Sequence, residues 1–506
     1  MIADQLEAQT VLWICIVLVV AHAVTRSLYR SFVLKNVPGP WYTLVSDWSL
    51  VWQEYRHNRT RWIHGLHAEY GPIVRLSNSE VHYNSTEAVK KIYGVRGPAV
   101  KESYYAEFAK DGHENMFSTI DEASHGHRKR GVANHYARSS LLTEASLSML
   151  REKVAQCCSL LYDPDGVQLY TALSYFTFDV ISSVVYGRQS CAQTLVQNGL
   201  NRLRLASDGS TLCRMRRFFR KSGHYTIAAL THLLYAIRQM TPITRVSASP
   251  GADGLDGYIF ETCGKITSTP EEGLAKESAS LAEKLLYRGC TNAYMLSETR
   301  DHVIAGSDTT TTVLTYLFYT LATRPDVYSK LRLELARVGR DENGRLVVTE
   351  IEACTYLDAV ITEALRLFAA IPMSLPRVLS APLDLHGTRV PQGTRVGVQC
   401  YSMHREPSTF PEPEAYKPER WENATKSMSD HMWAFSSGSR SCVGKALAML
   451  EMKLLAAEVV SRFSISLVGE ICPDAMMMAE DTTAFAMAPR DRSVKLRFKH
   501  RPNDEV

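Results

Sequence analysis

Residues 434–448 read AFSSGSRSCVGKALA, and no other stretch of the chain restricts its fold so tightly. One cysteine, Cys442, stands in a Gly- and Ser-rich loop two residues after Arg440. A helix must begin just beyond it, because Lys445 to Ala457 consists almost wholly of the strong helix formers Ala, Leu, Met, Glu and Lys. Backbone N–H groups and the positive end of the dipole converge at a helix N-terminus, and they stabilise a thiolate. A thiolate so placed is either a nucleophile or a metal ligand, and the rest of the chain must decide.

The totals remove several alternatives. Lys and Arg number 57 against 53 Asp and Glu in 506 residues, so the net charge of +4 gives no case for nucleic acid as a main partner. A hydrophobic content of 45% fits a large core, and no linker divides the chain, although its length alone suggests about three domains. The eleven cysteines are scattered and contain no C-x-x-C pair, which argues against a zinc site or a redox dithiol. An odd, dispersed set also argues against a disulfide framework and for a reducing compartment.

Thr10 to Val24, TVLWICIVLVVAHAV, is nearly continuously apolar. It is short for a spanning helix, which needs about 20 residues. Ser27 to Leu34 extends it, with arginines that reach back toward the headgroups. A cleaved secretory signal is the competing reading, since Ala21-His22-Ala23 resembles a cleavage site. Such signals carry positive charge before the apolar core. Here Asp4 and Glu7 precede it, and Arg26, Arg30 and Lys35 follow it. That bias predicts a retained single-pass anchor with the body in the cytosol. The expected organisation is therefore an anchor with its flanks over 1–36, a proline-rich hinge over 37–44 and one catalytic domain over 45–506.

Two β-branched, aromatic stretches, PIVRLS (72–77) and EVHYN (80–84), read as strands. Helical patterns dominate from about 85 onward. Residues 246–273, rich in Gly, Ser and Pro, read as a long surface connection. A long helix is expected from about Thr291 to Leu321, then a helix whose stripe is Leu357, Val360, Ile361, Ala364, Leu365 and Phe368. Short strands return over 376–400, and TAFAMAPRDRSVKLRF near the end reads as another hairpin. Helices outnumber strands, and the two are partly segregated. The expected class is α+β, predominantly helical.

The neighbours of Cys442 favour a metal ligand. Gly438 and Gly444 permit turns with φ > 0 and the close approach of a flat ligand. Arg440 offers a fork for a carboxylate. One thiolate, an arginine and the aromatic Phe435 suit a haem, with iron on sulfur and a propionate on arginine. At this point the sequence resembles the cytochrome P450 superfamily, whose haem loop follows F-x-x-G-x-R-x-C-x-G. Phe435, Gly438, Arg440, Cys442 and Gly444 fill all its fixed positions. The resemblance implies the cytochrome P450 fold with an N-terminal transmembrane helix, and haem b with Cys442 as the axial iron ligand.

A second stretch, AGSDTT (305–310), is poor helix-forming material in mid-helix. Thr309 can bond the carbonyl of Ala305 and loosen the helix. Gly306 is expected to leave room there for a small ligand. Asp308 and Thr309 provide a carboxylate and a hydroxyl for relaying protons. The run is similar to the family's oxygen-binding helix. Third, Glu363 and Arg366 lie at i,i+3, a spacing that more often makes a weak surface pair. The resemblance instead implies a buried structural triad of Glu363, Arg366 and Arg420, with Trp421 where many members have Phe. Fourth, in SHGHRKR (124–130) the resemblance places His125 and Lys129 on a haem propionate, with Arg130 as a substitute, and Arg377 as another propionate contact. The surplus cations Arg128 and Arg130 are read as facing an acidic redox partner.

The function so implied is a haem-thiolate monooxygenase that inserts one oxygen atom of O2 into an apolar small molecule. A fungal-type secondary-metabolite hydroxylase of the endoplasmic reticulum membrane is expected, with electrons from NADPH through NADPH–cytochrome reductase. Substrate contacts are expected at Val303, Ile304, Ala305, Ile371, Met373, Leu375, Thr483, Ala484 and Phe485. Two rivals share the fold: an isomerase or dehydratase that does not use O2, and a non-catalytic haem-binding protein. The first tends to lose the Asp-Thr pair that this chain keeps.

Overall fold

The computed structural model describes residues 27–501 except 96, 111, 198–253, 269–278, 470–475, 477, 482–485, 490–491 and 493, together with positions 14, 17, 18, 21, 24 and 25. Helices form the body, and four small sheets lie among them. The long helix runs Asn292–Thr323, with Thr291 as its N-cap accepting from the Tyr294 N–H. From 293 to 322 every residue is buried or half-buried except Ala305. Leu169–Tyr186 packs along it, buried at nearly every position, as expected for an all-round apolar helix. Thr355–Leu367 carries the expected stripe, and Lys445–Arg462 begins at the N-cap Gly444.

The largest sheet has five strands in the order Ile73–Ser77, Glu80–Tyr83, Arg395–Val398, Arg377–Leu379, Ala99–Lys101. Its second and third strands pair in parallel and the other neighbours are antiparallel. The two early strands and the short strands of 376–400 thus form as the sequence predicts. Ahead of the sheet, Arg75 donates to the carbonyls of Leu34, Val37, Gly39 and Pro40 and to Thr43 Oγ1. The VPGP connector is therefore held against the first strand by one buried guanidinium.

Two expectations fail. Within 246–273, Leu255–Ser268 is a helix, not a surface connection, and buries Leu255, Ile259, Cys263 and Ile266. Its two internal glycines, Gly257 and Gly264, obscured an ordinary i, i+4 stripe. Near the C-terminus, Ala486–Pro489 pairs with Met478–Asp481, whereas Lys495–His500 pairs with Phe463–Leu467. The two runs read as one hairpin belong to different sheets. No helix among the described residues is long and apolar enough to cross a membrane, and most of the 10–24 run lies outside them.

Candidate haem-thiolate site

Cys442 lies two residues before the N-cap Gly444, and its own N–H donates to Phe435 O at 2.9 Å. Its side chain is open, yet the opening is walled by protein. Burial accordingly pushes the thiol up, while the Gly444 N–H, the Lys129 ammonium and the Lys445 N–H pull it back. Metal binding would supply the rest of the stabilisation, because a coordinating thiol is deprotonated outright. Gly438 is obligatory on two grounds: its φ is +71°, and a Cβ would sit 2.1 Å from the Tyr93 carbonyl oxygen.

The loop is fixed from both sides. Lys129 donates to Ser439 O at 2.9 Å, Ser441 O at 2.8 Å and Ser441 Oγ at 3.1 Å. An ammonium has three donors, so none remains for a carboxylate. Lys129 thus clamps the cysteine loop, and its expected propionate contact rests on the resemblance alone. From behind, Glu363 and Arg366 form a fork-to-fork pair at 2.8 and 2.9 Å, both fully buried. Arg420 Nε joins Glu363 Oε1 at 3.0 Å. Arg366 also donates to His404 O, and the His404 ring bridges the Arg366 carbonyl to the Trp433 N–H, each at 2.9 Å. Trp433 immediately precedes the loop. The triad therefore reaches the loop through His404 and Trp433, two residues the sequence did not single out.

A cluster of cations surrounds the other edge. His125, Arg377 and Arg440 are joined by Lys101, which was not anticipated. Three of them donate to backbone carbonyls: Lys101 to Phe117, Arg377 to Pro376 at 3.1 Å, and Arg440 to Thr119 and Ile120, both at 2.6 Å. No carboxylate lies within ion-pair distance of any of the four among the described residues. Burial and then the Arg377 charge push Arg440 down to about 10. Burial, followed by Arg440, Lys101, Lys129 and Arg377, pushes His125 down to about 3 and leaves its buried Nδ1 unpartnered. Such a cluster calls for a dianionic group, and the two propionates of haem fit it. The residues present fit haem on both counts, thiolate and cations.

On the long helix, Thr309 Oγ1 donates to Ala305 O at 2.7 Å, as expected. Asp308 and Thr309 are half-buried, and Ala305 alone is exposed. Gly306 does not leave room for a ligand. A Cβ there would strike Ile181 at 2.5 Å, so this glycine serves helix packing. Ile304, Ile371 and Leu375 are half-buried, whereas Val303 and Met373 are sealed in the core and do not share the open face. Thr483, Ala484 and Phe485 lie outside the described residues. Arg128, expected to face a partner, turns inward instead. It lies 3.7 Å from Glu298, 3.8 Å from Glu114 and over the Tyr294 ring. Arg130 remains exposed.

An open cysteine just before a helix N-terminus, in a clamped loop beside a cluster of buried cations, is the arrangement that suits a haem-thiolate protein. The cytochrome P450 family profile matches residues 38–496, and the chain belongs to that family. It is a haem-binding oxidoreductase, a monooxygenase that draws electrons from NADPH through a reductase partner. Over 455 residues it is 28% identical to cytochrome P450 monooxygenase orf2 of Aspergillus niger, covering 88% of this chain and 89% of that one. It is 28% identical over 467 residues to a pisatin demethylase of Fusarium vanettenii, covering 89% and 87%. A retinoic acid-bound cyanobacterial cytochrome P450 superposes with a TM-score of 0.62 over 86% of this chain and 93% of that one; at 18% identity this likeness speaks to the fold.

Proposed function

We propose that the chain hydroxylates an apolar, medium-sized intermediate of fungal secondary metabolism. It does so from the cytosolic face of the endoplasmic reticulum, held by one N-terminal span over residues within 1–36. Similarity to fungal monooxygenases such as stcB of Emericella nidulans and pbrB of Penicillium brasilianum supports the metabolic setting. The observation that carries the chemical reading is Ala305, the one exposed residue between 293 and 322 of a helix whose other positions there are buried or half-buried. That opening is read as the cleft in which the substrate sits. It is bordered by Thr309, whose hydroxyl is already bonded to the Ala305 carbonyl, and by Asp308.

Haem bound at Cys442 supplies the iron at which dioxygen is activated. The chain's own groups do the rest. Cys442 donates electron density, the Glu363–Arg366–Arg420 triad and Lys129 hold its loop still, and Thr309 with Asp308 positions protons at the cleft. Ile304, Ala305, Ile371 and Leu375 give the cleft an apolar lining that orients an apolar substrate and excludes water.

Retention of the Asp308–Thr309 pair favours this reading over an O2-independent isomerase. Substrate-dependent NADPH consumption in microsomes containing the reductase tests it. Consumption with formation of a product 16 mass units heavier supports it. Conversion of substrate without NADPH, or binding without conversion, would replace it with one of the two rivals.

A further inference from the structure

The helix Leu169–Tyr186 meets the long helix in a register set by three contacts. A Cβ on Gly306 would strike Ile181, Thr177 Oγ1 lies 2.7 Å from Thr311 Oγ1, and the Tyr170 hydroxyl is hydrogen-bonded to the Thr312 side chain. Position falls along one helix as it rises along the other, which brings Tyr170 to the row of Asp308 and Thr312, one turn apart. Thr312 Oγ1 donates to the Asp308 carbonyl at 3.0 Å. A hydroxyl carries one proton, so Tyr170 is the donor to Thr312. The line Tyr170–Thr312 therefore ends on the peptide of the residue that carries the cleft's carboxylate. Tyr170 is buried, and the exposed Arg492 guanidinium stands 4.8 Å from its ring centre. Burial, followed by the Asp308 charge, pushes the phenol up to about 12, against Arg492 and Thr312. Tyr170 thus keeps its proton at working pH, and it feels both the acid of the cleft and a surface cation.

Resting on the monooxygenase reading above, we propose that Tyr170 is a positioning residue for Asp308: through Thr312 its hydroxyl fixes the turn of helix that aims the carboxylate at the cleft. Each turnover takes two electrons from NADPH and two protons with O2, and returns one oxygen atom in the product and one in water. The apolar lining of the cleft excludes water, so those protons depend on a carboxylate held in one place. Helix propensity does not hold it, because the stretch around Asp308 is Gly-, Ser- and Thr-rich. The Thr312 hydroxyl bonded to the Asp308 carbonyl also competes with the helix's own hydrogen bonding there. Arg492 competes from the surface for the same carboxylate. A buried phenol on Thr312 opposes both, and it does so without titrating.

The test uses the full-length holoenzyme with the reductase, and naphthalene as the apolar probe. Tyr170→Phe removes the hydroxyl and keeps the ring. The kcat for NADPH oxidation is expected to fall roughly 10-fold, the worth of one hydrogen bond. KM for naphthalene and the thiolate spectrum should not change, and the solvent deuterium isotope effect on kcat should rise. Consumption of cumene hydroperoxide, which brings its own electrons and protons, should stay at the parental rate. Asp308→Asn also slows NADPH oxidation, and adding Tyr170→Phe to it should slow the reaction no further, because Tyr170 acts only through Asp308. Parental kcat and isotope effect in Tyr170→Phe would overturn the proposal. So would losses that multiply in the double variant, or an equal loss of the cumene hydroperoxide reaction, which would mark general damage to the site. Thr312→Val breaks the same line one step nearer Asp308. It should reproduce Tyr170→Phe, and it decides if that variant fails to fold. A parent that oxidises no NADPH would overturn the monooxygenase reading and this proposal with it, whereas a parental Tyr170→Phe overturns this proposal alone.

Discussion

The Trp421 indole N–H donates to Glu363 Oε2 at 2.9 Å, on the carboxylate that already accepts from Arg366 Nε at 2.9 Å on the same oxygen. The other oxygen takes Arg366, Arg420 and the Lys417 N–H. From the sequence Trp421 was only an aromatic in place of Phe. In the structure it is a donor to the centre of the triad that a phenyl ring could not replace.

Trp421→Phe should therefore lower stability by about 1.5–3 kcal/mol, the range of a hydrogen bond to a charged group. The haem spectrum should not change, because the arginines still hold the carboxylate. Arg366→Met removes the one fully buried cation paired with Glu363, leaving Arg420 as its remaining charge partner, and should cost about 3–5 kcal/mol. Urea denaturation followed at the Soret band and in the far ultraviolet orders the two variants. Equal loss in both would mean that the triad does not act as argued.

Thr309→Ala should keep the thiolate spectrum and substrate affinity. Removing a placed proton-transfer group slows the step it serves by on the order of 100- to 10,000-fold. Electrons still arrive, so NADPH is consumed with less product and more peroxide. Measuring product per NADPH oxidised settles the point. An unchanged ratio at an unchanged rate would leave the hydroxyl with only its bond to the Ala305 carbonyl.

Glu451, on the helix that follows Cys442, is buried at 2% exposure, and its carboxyl is pushed up to about 8 by burial, against a hydrogen bond from Thr310. Between its unfolded value, about 4.3, and 8 the folded chain holds a proton that the unfolded chain has released. This group's contribution therefore makes stability fall as pH rises through that interval. Glu451→Gln lacks the effect. Its stability relative to the parent should improve from pH 5 to pH 8, by on the order of a few kcal/mol. Parallel pH profiles would show that the carboxyl is ionised in the fold.

The orientation of the chain can be checked at its sequons, Asn58-Arg59-Thr60, Asn84-Ser85-Thr86 and Asn423-Ala424-Thr425. Asn58 and Asn84 are half-buried and hydrogen-bonded to Gln53 and Glu406, so they would report poorly. Asn423 is exposed. It should carry no glycan in microsomes. An endoglycosidase-sensitive mass shift at Asn423 would reverse the proposed topology.

The motif-bearing parts of this fold were legible because their residue types conflict with local propensity. Glycine and hydroxyls in mid-helix, and a cysteine among glycines, have few bland explanations. Pairings between distant segments were not legible. Nothing local separates Ala486–Pro489 from Lys495–His500 as members of different sheets. Lys101 was missed for the same reason, since only strand register places it opposite Arg377. The spacing that singled out Lys129 gave no sign of its hold on the cysteine loop, because Ser439 and Ser441 lie some 310 residues away. Gly306 was read from its freedom, when the deciding contact is Ile181 on another helix.

The central claim is that Cys442 ligates the haem iron. The reduced, carbon monoxide-bound protein is predicted to show the red-shifted Soret band of thiolate ligation, and Cys442→Ser is predicted to abolish it. Cys400 makes the decisive control: it is buried, its thiol is pushed up to about 12 by burial, and its Sγ lies 2.9 Å from Ile371 O. A band that survives Cys442→Ser and vanishes with Cys400→Ser would contradict the account.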